Sequence, residues 1–143
     1  MKRRLLSIMF LVTILSSFLV LVAASGAVTP RFNNTASTST NFTITSAGKA
    51  TISAVYHGYQ NITTGAKITS YIEKRTLGLF WSRVDIDQPN NEWIDTSTEH
   101  ADAFGHEFYL NNTGTYRATV VYEISGTGGA TDVIEYEQER TYS

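Results

Sequence analysis

Between Asp85 and Glu107 the chain carries Asp85, Asp87, Glu92, Asp95, Glu99, Asp102 and Glu107, and no lysine or arginine. Closely spaced oxygen donors suit a hard cation, and "DIDQPNN" offers Asp85, Asp87 and Asn90 as a weak calcium site. The stretch lacks the central glycine and closing glutamate of an EF-hand loop, so solvated acids on a loop and strand are the simpler reading and no cofactor is required. His100, Asp102 and His106 alternate onto one strand face, but the outer two stand roughly 20 Å apart on an extended strand, too far for one ion. Nucleophiles fare no better. Cysteine is absent. "SAGK" from Ser46 to Lys49 matches the S-x-x-K of penicillin-recognising enzymes by letter only, without the S-D-N and K-T-G partners. "GTGG" from Gly126 to Gly129 lacks the lysine and helix of a phosphate loop and suits a hairpin turn.

The aromatic residues carry the remaining signal. In "LFWSRVDI", Phe80, Val84 and Ile86 alternate onto one face, and Leu79, Trp81, Arg83 and Asp85 onto the other, so Trp81 falls on the polar side. A hairpin through "TLG" brings Tyr71 and Arg75 beside Trp81 and Arg83 on that side. Aromatic rings among polar neighbours stack on sugars or anchor a protein partner, which makes these four residues the candidate binding surface. The competing reading has Trp81 half covered by the N-terminal arm or a loop. Trp93, in "NNEWIDT", is expected to pack under its own loop.

The chain begins with "MKRR", an apolar run from Leu5 to Ala24 and the small residues "AASGAV", the three parts of a cleavable export signal. Residues 1–27 are therefore expected to be a helical signal peptide, removed after Ala27 or after Ala24. An uncleaved anchor is the alternative, because the run is just long enough to span a bilayer. Without residues 1–27, eight basic residues face thirteen acidic ones, a net charge of −5. Charge alone then gives no attraction to nucleic acid, anionic wall polymers or an anionic membrane surface, so neither nucleic acid nor membrane is an expected partner. A cysteine-free exported chain must rely on its core, which favours a bacterial source and Gram-positive bacteria above others. Four N-x-S/T sequons, at Asn33, Asn41, Asn61 and Asn111, are what a chain so rich in Asn and Thr yields by accident.

Residues 28–40 are polar and aperiodic and are expected to form a flexible arm. Beyond them apolar residues alternate every second position between Gly, Asn and Pro breaks, and no helical period occurs. Seven strands follow, near 41–45, 49–59, 66–75, 79–86, 101–110, 115–125 and 131–140, within a single domain of residues 41–143. Ile52, Ala54, Tyr56, Ile68, Ile72, Tyr116, Ala118, Val120, Tyr122 and Ile124 are the expected core. Glu135, Glu137 and Glu139 line one face of the last strand, where repeated charge guards an edge against pairing.

"NTGTYRA" resembles the D-x-G-x-Y-x-C motif of immunoglobulin-like domains, in which a tyrosine hydroxyl bonds back to nearby backbone. Gly114 and Tyr116 match as structural residues, while Asn112 and Ala118 replace the Asp and Cys. The resemblance implies an all-β, immunoglobulin-like or fibronectin-like sandwich and nothing about activity. Over most of its length, through "AKITSYIEKRTLGLFWSRVD", "NEWIDTST" and "GTYRATVVYEISGTGGATDVI", the chain is similar to short secreted proteins of Gram-positive bacteria for which no activity is defined. These readings converge on a secreted, non-catalytic β-sandwich that binds a protein or glycan of the cell envelope or environment, or builds that envelope. The alternative is a small secreted glycan hydrolase, which needs two carboxylates facing each other across a cleft.

Overall fold

A computed structural model describes residues 32–143; the expected signal peptide and the first residues of the arm lie outside them. Apart from one 3-10 turn at Pro89–Asn91, the regular structure there consists of eight strands: β1 Thr35–Ile44, β2 Lys49–Gly58, β3 Thr63–Thr76, β4 Phe80–Arg83, β5 Trp93–Ser97, β6 Ala101–Tyr109, β7 Gly114–Gly126 and β8 Asp132–Tyr142. All pairings are antiparallel. One sheet runs β1-β2-β6 and the other β4-β3-β7-β8, with β5 continuing beyond β4 along the same edge of β3.

The alternation of side chains explains why the two sheets meet. Every second residue of β2 from Ala50 to Tyr56, and of β7 from Tyr116 to Ile124, is buried. With Phe42, Ile68, Ile72, Leu110 and Ile134 these residues form one cluster between the sheets. Burying a side chain of this size contributes about 1.5–3 kcal/mol, so the core holds the chain without a disulfide. The ten expected core residues are all in it. Two tyrosine hydroxyls of the core are partnered: that of Tyr122 donates to the Ser39 carbonyl across the sheets at 2.8 Å, and that of Tyr56 donates to the Glu99 carbonyl at 2.7 Å.

The expected arm is corrected over most of its described length. Thr35–Thr40 belong to β1, and Asn34 and Thr35 are buried. Polar residues hold this segment, which is why an apolar period misses it. Asp132 accepts hydrogen bonds from the backbone N–H groups of Asn33 (3.0 Å) and Asn34 (2.7 Å) and from the Thr35 hydroxyl (2.9 Å). The Asn34 amide donates to the Ala130 carbonyl and accepts from Gly128 N–H. Further along, Gln138 of β8 bridges to Phe42 N–H (2.9 Å) and the Thr40 carbonyl (2.8 Å), joining the edges of the two sheets. "GTGG" makes the β7–β8 turn beside this segment, where a Cβ on Gly126 or Gly128 would overlap the carbonyl oxygens of Ile62 and Asn33.

The segment around Trp93 is also a strand instead of a loop. Trp93 and Asp95 of β5 sit opposite Ser70 and Ile68, on the inner side of the sheet. There the Trp93 ring stacks on His106 of β6 at 4.9 Å between centroids, and Asp95 pairs with His106 Nε2 at 2.7 Å. An inward aspartate disguises this strand in the sequence; its partner comes from the other sheet.

Candidate functional site

The outer face of the four-strand run β4-β3-β7-β8 is built in rows by its register. Trp81 lies opposite Arg75, and Arg83 opposite Glu73. Glu73 lies opposite Arg117, and Tyr71 opposite Thr119. Arg117 in turn faces Glu139, and Thr119 faces Glu137. All four residues of the expected surface therefore share one face and meet in two pairs, Tyr71 with Arg83 and Arg75 with Trp81. The Arg83 guanidinium lies over the Tyr71 ring, 3.3 Å from its centroid. Trp81 meets two guanidinium groups, Arg117 at 4.5 Å and Arg75 at 5.7 Å.

These contacts change what the face offers. Trp81 is half-buried, and among the described residues Arg75 and Arg117 lie against its ring. A guanidinium over a ring is attracted to its π face, so these contacts join cationic donors and aromatic surface on one side of the sheet. Arg83 also pairs with Glu92 at 2.9 Å. Arg117 pairs with Glu73 and with Glu137, the latter at 3.0 Å. Burial opposes the charge of Arg117, but Glu73 and Glu137 outweigh it and raise its pKa. Among the described residues, Arg75 has no acidic partner within salt-bridge distance.

Glu73, Arg117, Thr119 and Glu137 complete the patch and were not among its sequence candidates. Alternation already placed Arg117 and Thr119 on the solvent side of β7; what it lacked was the pairing of β3 with β7, whose partner residues lie more than forty positions apart in sequence. Thr119 is buried beneath this patch, and its hydroxyl has no hydrogen-bond partner among the described residues.

At Gly114 and Tyr116 the backbone-bonded tyrosine implied by the motif resemblance is present. Gly114 has φ +146°, a conformation that favours glycine, and the Tyr116 hydroxyl donates to the Asn112 carbonyl. Burial raises the Tyr116 pKa. Beside it a half-open cavity of about 280 Å³ is lined by Lys74, Ser82, Asp85, Phe108, Asn111 and Tyr116 among others, with Asp85 its one carboxylate. A hydrolase of the glycosidase kind needs two. As for calcium, Asp85 Oδ1 accepts from Asp87 N–H at 3.2 Å, and Asn90 lies in the 3-10 turn with φ +56°. No group of three or more His, Asp or Glu among the described residues is placed to hold a metal ion. His100 and Asp102 are not drawn to His106, which is taken by Asp95 and Trp93.

No family model, curated protein or solved structure matches the chain.

Proposed function

We propose that the chain is an exported, immunoglobulin-like β-sandwich that works by binding, without catalysis, and that the outer face of β4-β3-β7 is its ligand surface. Its partner on this reading is a protein or glycan at the envelope of a Gram-positive cell. Support for the fold name comes from the strand order, in which β2 pairs β1 and β6 while β3 pairs β4 and β7, and from the Tyr116 corner. Export is supported by the leader-like residues 1–27.

The observation that carries the binding reading is the convergence of Tyr71, Arg75, Trp81 and Arg83, with Arg117, onto one face, where Arg83 lies over Tyr71 and Arg75 and Arg117 meet Trp81. Tyr, Trp and Arg are the residues most enriched at energetic centres of interfaces, and here neighbouring rings hold them in place before any ligand arrives. The test is pelleting with isolated cell envelopes of the producing organism. Arg75→Ala and Trp81→Ala are expected to weaken association by at least about tenfold, the loss of one anchor, while a circular-dichroism melt confirms an intact fold. Folded variants that pellet as well as the natural chain would refute the assignment.

A further inference from the structure

The β3–β4 hairpin ends in an apolar tip that the fold does not use. Leu77 is 85% exposed, Leu79 76% and Phe80 63%. Leu79 N–H donates to the Thr76 carbonyl at 3.1 Å, and Leu77 and Gly78 both take positive φ, +53° and +69°. Tight hairpin turns of this kind favour Asn-Gly or Asp-Gly, since a bulky side chain at positive φ is strained. Folding therefore gives no reason for leucine there, nor for two more large apolar side chains in water beside it.

The surroundings of the tip indicate what covers it. From Lys74 to Val84 the hairpin reads "KRTLGLFWSRV", with three cations and no acid. Its groups are layered. The apolar side chains occupy the end, Arg75 and Trp81 face each other in the next outward row, and Arg83 follows over the ring of Tyr71. Arg75 and Trp81 stand three residues from Gly78, roughly 10 Å along an extended strand. Apolar side chains at the end, an indole behind them and guanidinium groups at that height match the depth profile of a lipid interface. Apolar residues there enter to about 5–10 Å, tryptophan sits at the headgroup boundary and cations meet anionic headgroups.

We infer that the Leu77–Phe80 hairpin tip inserts into the surface of an anionic lipid bilayer, with Arg75 against the headgroups. The net charge of −5 that residues 28–143 carry disfavours long-range attraction of the whole domain, so contact rests on this one segregated element and is reversible. The inference shares Arg75 and Trp81 with the flat face, but Leu77, Leu79 and Phe80 belong to the tip alone, so changing them tests lipid contact while Tyr71, Arg75, Trp81 and Arg83 stay in place.

The experiment is flotation of the chain beginning at Val28 with vesicles of equal parts phosphatidylglycerol and phosphatidylcholine, and with phosphatidylcholine alone. That chain retains every residue of the core and omits an apolar leader that would itself bind lipid. Binding is expected to the anionic vesicles, to fall in high salt and to be much weaker on the neutral ones. The combined variant Leu77→Ser, Leu79→Ser, Phe80→Ser should partition roughly tenfold less, or worse, with an unchanged melt. In a Trp93→Phe background, Trp81 emission should shift to the blue on adding anionic vesicles and stay put in the tip variant. Failure of the natural chain to float, or equal flotation of the folded tip variant, overturns the inference. A tip that serves a protein groove gives the first of these results.

Discussion

Removing the Asp132 carboxylate should open the end of the domain at which β1 begins. Its oxygens accept from Asn33 N–H, Asn34 N–H and the Thr35 hydroxyl at 2.7–3.0 Å, and Asn34, Thr35 and Asp132 are all buried. A hydrogen bond to a charged group contributes about 1.5–3 kcal/mol, and an orphaned buried donor costs about 1–3 kcal/mol. Asn33 is exposed and recovers water, whereas Asn34 N–H and the Thr35 hydroxyl do not. The net loss in Asp132→Ala is then about 3 kcal/mol, a large share of the ~5–15 kcal/mol that holds a domain of this kind together. With a urea slope near ~2 kcal/mol/M, the unfolding midpoint should fall by ~1.5 M. Amide exchange at Asn34 should accelerate alongside it. A midpoint within ~0.3 M of the natural chain would refute the reasoning, because the three bonds would then contribute nothing beyond what water supplies.

The same carboxylate sets a pH dependence. Burial alone would raise its pKa, but the donors from Asn33, Asn34 and Thr35 outweigh burial and hold it below the ordinary 3.8. Above pH 3.8 Asp132 is ionised in folded and unfolded chains alike, and its stabilisation is fully present. As pH falls below that value the unfolded chain takes up the proton first, and the stabilisation is lost until folded Asp132 is protonated too. The natural chain should therefore lose stability more steeply than Asp132→Asn below pH 3.8, with the two slopes similar between pH ~5 and ~7. Equal acid slopes would contradict this account.

Tyr116→Phe leaves the Asn112 carbonyl without its donor and should cost about 1 kcal/mol in a urea melt; an unchanged midpoint would remove the corner from the stability of β7. Thr119→Val replaces a buried hydroxyl that has no partner among the described residues with a methyl group of similar size, so stability should hold or rise by up to about 1 kcal/mol. A loss greater than that would reveal a partner for the hydroxyl. N-terminal sequencing of exported protein should begin at Val28 or Ser25, and a start at Met1 or Lys2 would refute removal of the leader.

Alternation alone determined the strand class, the inward sets of β2, β3 and β7 and the outward set that holds Tyr71, Trp81, Arg75 and Arg83, because a period of two leaves a strand one choice of buried face. The corner was legible in another way, through the resemblance of "NTGTYRA" to the immunoglobulin-like motif, since Gly114 and Tyr116 act over a few residues of chain. Where burial is polar, the same rule was silent. Thr35–Thr40 and Trp93–Ser97 are strands whose inward or anchoring groups are satisfied by Asp132 and His106, partners from remote segments that no local pattern reveals. The candidate face divides the same way. Its residue types and their side of the strand are local properties, while the capping of Trp81 by Arg117, the pairing of Arg117 with Glu73 and the burial of Thr119 exist only because β3 and β7 are neighbours. Strand adjacency is settled by how two sheets share one core, and that is a property of the whole chain.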